Sequence, residues 1–495
     1  MRKILATILL FSLLAGSAFA TTLYRIRFGH YPEKIRAVFD FDGGFTYESD
    51  EAKDKIVLRL KKTRASSEIQ NYVELNDLIV RYLEVEKEGE DLKVTIPLSE
   101  PVEYNVFYLN DPPRLVIDFS REYLNIVSGG TLADGVEFLK VNKGMAAGHI
   151  NAGVLRVDLA RASVKPALAK KQKPNILESF MDLITPWAQK KTSGRFFLGK
   201  VSQIVEENNG LAGINGTYFA NSGRPLGALM IDRELVSFSI YDRTALFFDQ
   251  QDKPYIDNIF ISSHFKTKNG TRYKITGINQ SREAKDTIMF TPTWGERTGT
   301  NSSGIEIVVS KSKIIEVNVS NSKIPEDGYV LSITGPGVEV LAEQVKAGDK
   351  IDTRIQIIPY SAAPEKIIHL ISGGPRLLKL GRIYVSKHEE KFKTDIAKGR
   401  AARTAVGITK QGELLLVTVD GPPRGSRKSK EPSKDSIGVT LEELSSLMLS
   451  LGAYEAMNLD GGSSSTMVID QQVVNKPASG YQRSVSNAIV VLPKR

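Results

Sequence analysis

Cysteine is absent from the 495 residues, which excludes disulfides, zinc ribbons, iron–sulfur clusters and thiol nucleophiles. Histidine is scarce. The five present (His30, His149, His264, His369, His388) form neither an H-x-H nor an H-x-x-x-H pair, so no histidine-rich metal site is expected. Catalysis, if any, then falls to carboxylates, arginine, serine or tyrosine. Beyond the first twenty residues no stretch approaches about 18 unbroken apolar residues, so the mature chain should carry no transmembrane segment. Hydrophobic residues make up 41% and charged residues 25%, ordinary globular usage that excludes disorder, collagen and coiled coil. At roughly 100–200 residues per domain, this length accommodates two to four domains.

The first twenty residues have the layout of a secretory signal peptide. Arg2 and Lys3 precede an apolar run from Ile4 to Ala15, and Ala18-Phe19-Ala20 supplies the small-x-small pattern of a cleavage site. The expected location is therefore exported, either periplasmic or associated with the cell envelope. The whole chain has a formal charge of +9. A modest basic excess in an exported chain points to anionic envelope polymers sooner than to nucleic acid, although a solvated surface accounts for it equally simply.

From Thr21 to about Ser120 the sequence alternates with period two in short runs: Arg25–Phe28, Lys34–Phe41, Lys55–Leu60, Leu92–Ile96 and Arg114–Phe119. Turn clusters such as Asp42-Gly43-Gly44 separate them. That pattern predicts a small all-β sandwich over residues 21–125, with Ser128-Gly129-Gly130 as a linker. The rest, 131–495, reads as a strand-rich mixed α/β domain, and the fold class as α+β. Helical patterns occur at Asn175–Lys191, broken at Pro186, and at Val201–Asn208. Residues 230–360 read as strand and turn. Near the C-terminus Leu414–Val419 is a continuous apolar strand. Thr440-Leu441-Glu442-Glu443 has the form of a capping box, and Gly452 suits the left-handed residue that ends the helix. A further strand is expected over Ala456–Asp460.

Two strands thus end in aspartate followed by glycine, Asp420-Gly421 and Asp460-Gly461-Gly462. Strand C-terminal ends commonly deliver polar groups to a ligand, and glycine can adopt positive φ and expose N–H donors to an anion. Asp-Gly is also a common turn dipeptide; the recurrence, beside the hydroxyl-rich Ser463–Thr466, is what points to function. Asn458 and Asp460 are two apart, hence on one face of a strand. Arg376, after the Gly373-Gly374 turn, and Arg403 have the fork geometry that grips phosphate, although a lone arginine is often only a surface ion pair. Asn215-Gly216 reads as a hairpin turn. The loop from Gly421 to Ser436 carries five basic residues against two acidic ones and reads as a flexible flap able to attract an anion.

Taken in order, Asn215–Phe219, Ile371–Arg376, Arg400–Gly407, Val419–Gly421, Gly438–Leu444, Asn458–Met467 and Arg483–Asn487 resemble the phosphodiester glycosidase family over roughly residues 131–495. The segment 21–125 is similar to an AMIN domain, on Arg36–Asp40 and Pro113–Asp118. The first resemblance implies a hydrolase that cleaves the glycosidic bond of a sugar phosphodiester. Its implied site has Asp460 and Asp420 as catalytic residues, with Asn215, Arg376, Arg403, Asn458, Ser464, Gly461 and Gly462 binding substrate. The family commonly has glycine where this chain has Ser463. The second resemblance implies contact with peptidoglycan. The expected substrate is a sugar phosphodiester or anionic envelope glycan. No sequence pattern demands a cofactor, and a divalent cation beside the carboxylates stays open. The export signal and the low aromatic density of the basic stretches argue against nucleic acid. The competing expectation is a non-catalytic envelope protein that binds peptidoglycan or exopolysaccharide.

Overall fold

The computed structural model describes residues 21–171 (apart from 53 and 76), 196–238, 241–393, 399–422 and 435–494. The segment expected to be a signal peptide, the helix expected at Asn175–Lys191 and most of the basic loop after Asp420 lie outside the described residues. The chain divides into two compact units. The first ends at Asn125 and takes in Gly144–Gly148; the second comprises Ile126–Lys143 and the described chain from His149 onward.

The first unit consists of two five-stranded sheets. One follows the order Thr63–Ala65, Thr21–His30, Lys34–Phe41, Arg114–Ser120, Tyr104–Leu109; the other runs Thr46–Ala52, Lys55–Lys61, Asp91–Pro97, Tyr82–Glu88, Tyr72–Glu74. The alternation seen in the sequence is the cause. In Asp91–Pro97, Leu92, Val94 and Ile96 are buried while their neighbours are partly exposed, and one core unites them with Leu23, Phe39, Leu58 and Phe119.

The chain beyond the first unit includes β1 (Gly148–Val157), α1 (Val201–Glu207), β2 (Ala212–Asn215), α2 (Val338–Gln344), β3 (Arg376–Lys379), β4 (Arg403–Thr409), β5 (Leu414–Val419), α3 (Leu441–Ser450) and β6 (Ala453–Asn458). These three are the α-helices among the described residues. The seven-residue α2 falls in the stretch that reads as mostly strand and turn with no helical run of length. Residues 229–372 otherwise form two further sheets.

In the eight-stranded central sheet β1, β5, β4, β6 and β3 are consecutive neighbours. Strand β4 is antiparallel to both β5 and β6, with Arg403 opposite Val419 and Ala405 opposite Asn458. The C-terminal ends of β5 and β6 therefore emerge at the same edge of the sheet, on either side of the start of β4. Every residue of β4 and β5 is buried, which fits the nearly continuous apolar run of β5 and leaves Arg403, Thr404, Thr409 and Thr418 as buried polar residues. Helix α3 packs on β3 and β6 through Leu441, Leu444, Leu447 and Met448. Its capping box is formed: Glu443 N–H donates to Thr440 Oγ1 at 3.2 Å, and Thr440 N–H donates to Glu443 Oε2 at 2.9 Å. Gly452 closes it at φ +94°.

Two glycine expectations change. Ser128-Gly129-Gly130 is no linker but the middle of a strand, Tyr123–Ala133, where a Cβ on Gly129 would come 2.6 Å from the carbonyl oxygen of Phe138. Glycine serves close strand approach there. Asn215-Gly216 is likewise no hairpin. Asn215 ends β2, Gly216 N–H donates to the carbonyl of Asn487, and a Cβ would collide with the Asn487 side chain.

Candidate active site

The edge where β5 and β6 emerge gathers Arg403, Asn458 and Asp460, with Asp420 across β4. Gly421 and Gly461 both pack against Ala402, the residue before β4. Neither has positive φ; a Cβ on Gly421 would collide with Ala402 N, and one on Gly461 would lie 3.0 Å from Ala402 O. Close approach, rather than left-handed geometry, requires these two glycines. Gly462 does adopt positive φ, +62°. Ser463 lies inside the 3-10 turn Gly462–Ser464 without positive φ, so its side chain is accommodated. The expected role of the Gly461 and Gly462 amides as donors to an anion is corrected. Gly461 N–H donates to Asp460 Oδ1 at 3.0 Å, and Gly462 N–H donates to Ala402 O at 2.7 Å. Both are already used.

Asp460 is partly buried, and loss of hydration pushes its carboxyl up to about 6. Ser464, the Arg483 charge and Gly461 N–H oppose that rise by favouring the ionised form. Ser464 Oγ, fully buried, accepts from Arg483 Nη1 at 3.1 Å, and the Arg483 guanidinium lies 5.1 Å from the Phe219 ring centre. Asn215 supports this group from behind. Its Nδ2 donates to the Asp460 carbonyl at 2.7 Å, and its Oδ1 accepts from Thr404 Oγ1 at 2.8 Å and Thr466 N–H at 3.1 Å. With both ends of its amide bonded internally, Asn215 holds three segments together.

Asp420 is buried, and burial raises its pKa as well. Its Oδ1 accepts from Asn475 Nδ2 at 3.2 Å and from Lys476 N–H at 3.0 Å. Asn475 Nδ2 also donates to the Ser465 carbonyl at 3.2 Å. Lys476 and Lys140 are the charges acting on Asp420, whereas Arg483 acts on Asp460. The two carboxylates thus flank one strand end but face different surroundings.

The arginines divide. Arg403 is buried, and burial lowers its pKa; its Nη2 donates to Gly399 O at 2.8 Å and its Nε to Val439 O at 3.4 Å. Arg376 departs from the phosphate-gripping expectation. Its Nη1 meets Asp257 Oδ1 at 3.2 Å, its Nη2 meets Glu455 Oε2 at 2.6 Å and Ile256 O at 3.1 Å, and its Nε meets Leu378 O at 3.2 Å. Its side chain is 4% exposed. This guanidinium is saturated by internal acceptors and cross-links the sheets. Arg400 pairs with Glu443, a surface ion pair.

Tyr218 is the residue that sequence reasoning passed over. Its hydroxyl donates to Gly374 O at 3.0 Å and accepts from Asn458 Nδ2 at 2.9 Å. Burial raises its pKa strongly; the nearby Asp460 charge adds to the rise, while Arg403 and Arg243 oppose it. One phenol therefore lies within electrostatic reach of Asp460, Arg403 and Arg243 while touching Asn458. Asn458 is itself fully buried, and its Oδ1 has no partner among the described residues. The available signal was Tyr218's place in Asn215–Phe219, a stretch read for its Asn-Gly dipeptide and for the resemblance, with Asn215 as its one site residue. Among the described residues no group of three or more His, Asp or Glu is arranged to hold a metal ion.

The phosphodiester glycosidase family model matches residues 303–492, which contain β3 to β6 with Arg376, Arg403, Asp420, Asn458, Asp460, Ser464 and Arg483, whereas Asn215, Tyr218, Phe219 and Arg243 precede the match. The bovine N-acetylglucosamine-1-phosphodiester alpha-N-acetylglucosaminidase is 30% identical over 124 residues, 23% of this chain and 21% of that protein. The chain thus aligns with about a fifth of that relative's length. Among solved structures, a hypothetical protein from Synechocystis superposes with a TM-score of 0.60 at 20% identity, covering 96% of this chain and 81% of the other. A candidate exported protein from Burkholderia pseudomallei K96243 superposes with a TM-score of 0.53 at 17% identity, covering 91% and 97%. At these identities the two structures establish a shared fold.

Proposed function

We propose that the protein hydrolyses the glycosidic bond of a sugar phosphodiester and that Asp460 is its catalytic carboxylate. The observation that carries this reading is the environment of Asp460: a carboxyl raised to about 6, beside Ser464 and Arg483 and within reach of Tyr218 and Arg403. The family match over residues 303–492 supports the reaction class.

A phosphate monoester is a good leaving group, so the site needs charge stabilisation more than a strong general acid. Arg403 neutralises the departing phosphate. Asn458 and Ser464 orient sugar hydroxyls. The ionised form of Asp460 acts at the anomeric carbon, either as nucleophile or as the base that takes a proton from water. In both cases the bond from C1 to the phosphate oxygen breaks, the phosphate keeps the electron pair, and the hydroxyl of water ends on C1. Asp420 anchors the Asn475–Lys476 segment and supplies negative charge at the same sheet edge.

The substrate we propose is an anionic glycan of the cell envelope, reached by export. Peptidoglycan contact is assigned to the first unit, where a groove of ≈ 980 Å³ is lined by Lys62, Arg64, Tyr72, Glu84 and Lys87 among others. Tyr72 is 50% exposed there and stacks on Tyr82 at 5.1 Å, the kind of aromatic face on which sugar rings rest. The test is a panel of sugar phosphodiesters, teichoic-acid-like polymers included. Release of free sugar and phosphate monoester from at least one member is expected; inertness toward all of them in folded protein contradicts the reading.

A further inference from the structure

We infer that Arg243, stacked on Phe392 beside Tyr218, is the second guanidinium of the phosphate-binding site and fills the place that Arg376 does not. The inference rests on the proposed substrate class and deepens it. Planar, bidentate recognition of a phosphate is the task to which guanidinium groups are best suited, and two of them can share the charge of a diester.

The geometry forms a continuous chain. Arg243 Cζ lies 4.1 Å from the centre of the Phe392 ring, and that ring is 5.9 Å from the ring of Tyr218. Tyr218 bonds to Gly374 O and Asn458 Nδ2, and Asn458 is two residues from Asp460. A Cβ on Gly374 would approach the Phe392 ring to 3.0 Å, so the glycine lets the aromatic side chain close over this spot. The backbone of Arg243 is fixed as well, its N–H donating to Tyr241 O at 2.8 Å and its carbonyl accepting from Ile259 N–H at 3.2 Å.

Two further observations direct this guanidinium toward a ligand. Arg243 forms no ion pair among the described residues, and its Nε is buried without a hydrogen-bond partner there. Its neighbour Asp242 is engaged by the Tyr360 hydroxyl at 2.8 Å. Asn458 Oδ1, around the same phenol, is also buried and unpartnered. Buried polar atoms in folded proteins are nearly always satisfied, so an orphaned donor and an orphaned acceptor flanking one tyrosine mark a place where a bound molecule completes the bonding. Stacking on Phe392 holds the guanidinium plane with its N–H edge available, which lysine cannot imitate.

The experiment is calorimetric titration of the full chain with inorganic phosphate, comparing wild type with Arg243→Ala, Arg243→Lys and Asp460→Asn. Loss of charge-assisted hydrogen bonds weakens phosphate binding about 10- to 100-fold in Arg243→Ala. Arg243→Lys falls between that variant and wild type. The unfolding midpoints of both Arg243 variants stay near that of wild type, because the side chain bridges no internal carboxylate. Phosphate affinity within twofold of wild type in folded Arg243→Ala overturns the inference, as does a wild type that binds no phosphate. Asp460→Asn separates the two readings: it retains phosphate binding while turnover is lost. If it turns over normally, the catalytic assignment fails and the Arg243 result stands on its own.

Discussion

Asn458 Nδ2 donates to the phenolic oxygen of Tyr218 across 2.9 Å, although 240 positions separate the two residues. The bond joins the end of a central strand to the segment following β2 and places an otherwise ordinary tyrosine beside Asp460. In Tyr218→Phe, the Gly374 carbonyl loses one of its two donors and Asn458 Nδ2 one of its three acceptors, costing about 0.5–1.5 kcal/mol of stability. Turnover of a sugar phosphodiester falls by about tenfold, because Asn458, still bonded to the Gly374 and Leu459 carbonyls, loses the phenol that orients its amide near Asp460. Chemical denaturation and steady-state kinetics on the same preparation measure both effects.

Arg376 separates a structural role from a substrate-binding one. Removing it leaves Asp257 and Glu455 facing no cation, and breaking a buried ion pair in this way costs about 3–5 kcal/mol. Arg376→Ala is therefore expected to lose most of its cooperative stability. Thermal unfolding decides: a folded variant of wild-type stability with only a raised KM contradicts the assignment.

The charge on Asp460 works against folding. Its pKa is about 6 in the folded chain and near 3.8 in the unfolded one, so folding favours the protonated form. That contribution is complete below pH 3.8 and is lost as pH rises through 6. Asp460→Asn carries no such penalty and should exceed wild type by up to about 3 kcal/mol at pH 8, with the gap closing toward pH 4. Denaturant titrations at several pH values check this; a variant less stable than wild type at pH 8 contradicts it.

Gly421→Ala tests the crowding at Ala402. The added methyl collides with the backbone of Ala402, just before β4, and costs about 1–3 kcal/mol, displacing the start of the strand that carries Arg403. Reduced turnover together with a lowered unfolding midpoint is expected. Ser463→Gly, at a residue without positive φ, leaves the midpoint within about 1 kcal/mol.

Five of the ten strands of the first unit were legible through their alternating stretches, and α3 because Thr440, Glu443 and Gly452 punctuate it. Asp460 was found because Asp-Gly-Gly follows a strand, and Arg403 because a guanidinium stands where a strand begins. What pattern alone hides is the direction in which a side chain is spent. Arg376 follows a glycine turn just as a phosphate-binding arginine would, yet Asp257 and Glu455, 119 and 79 positions away, claim it. The glycines at 129, 216 and 421 read as turns or linkers because their actual cause, a neighbouring backbone in contact, is long-range. Arg243 belongs to no motif read in the sequence and Tyr218 only to Asn215–Phe219, and it is the fold that brings them to Phe392 and Asn458.

The most direct test of the account is the pH dependence of kcat/KM for a sugar phosphodiester, in wild type and in Asp460→Asn. In wild type, kcat/KM should rise with pH through a single ionisation near 6, as Asp460 loses its proton. In the folded variant it should fall by about 10³-fold or more, with that limb gone. Wild-type rates retained in Asp460→Asn, or an unchanged ionisation near 6, would contradict the central claim.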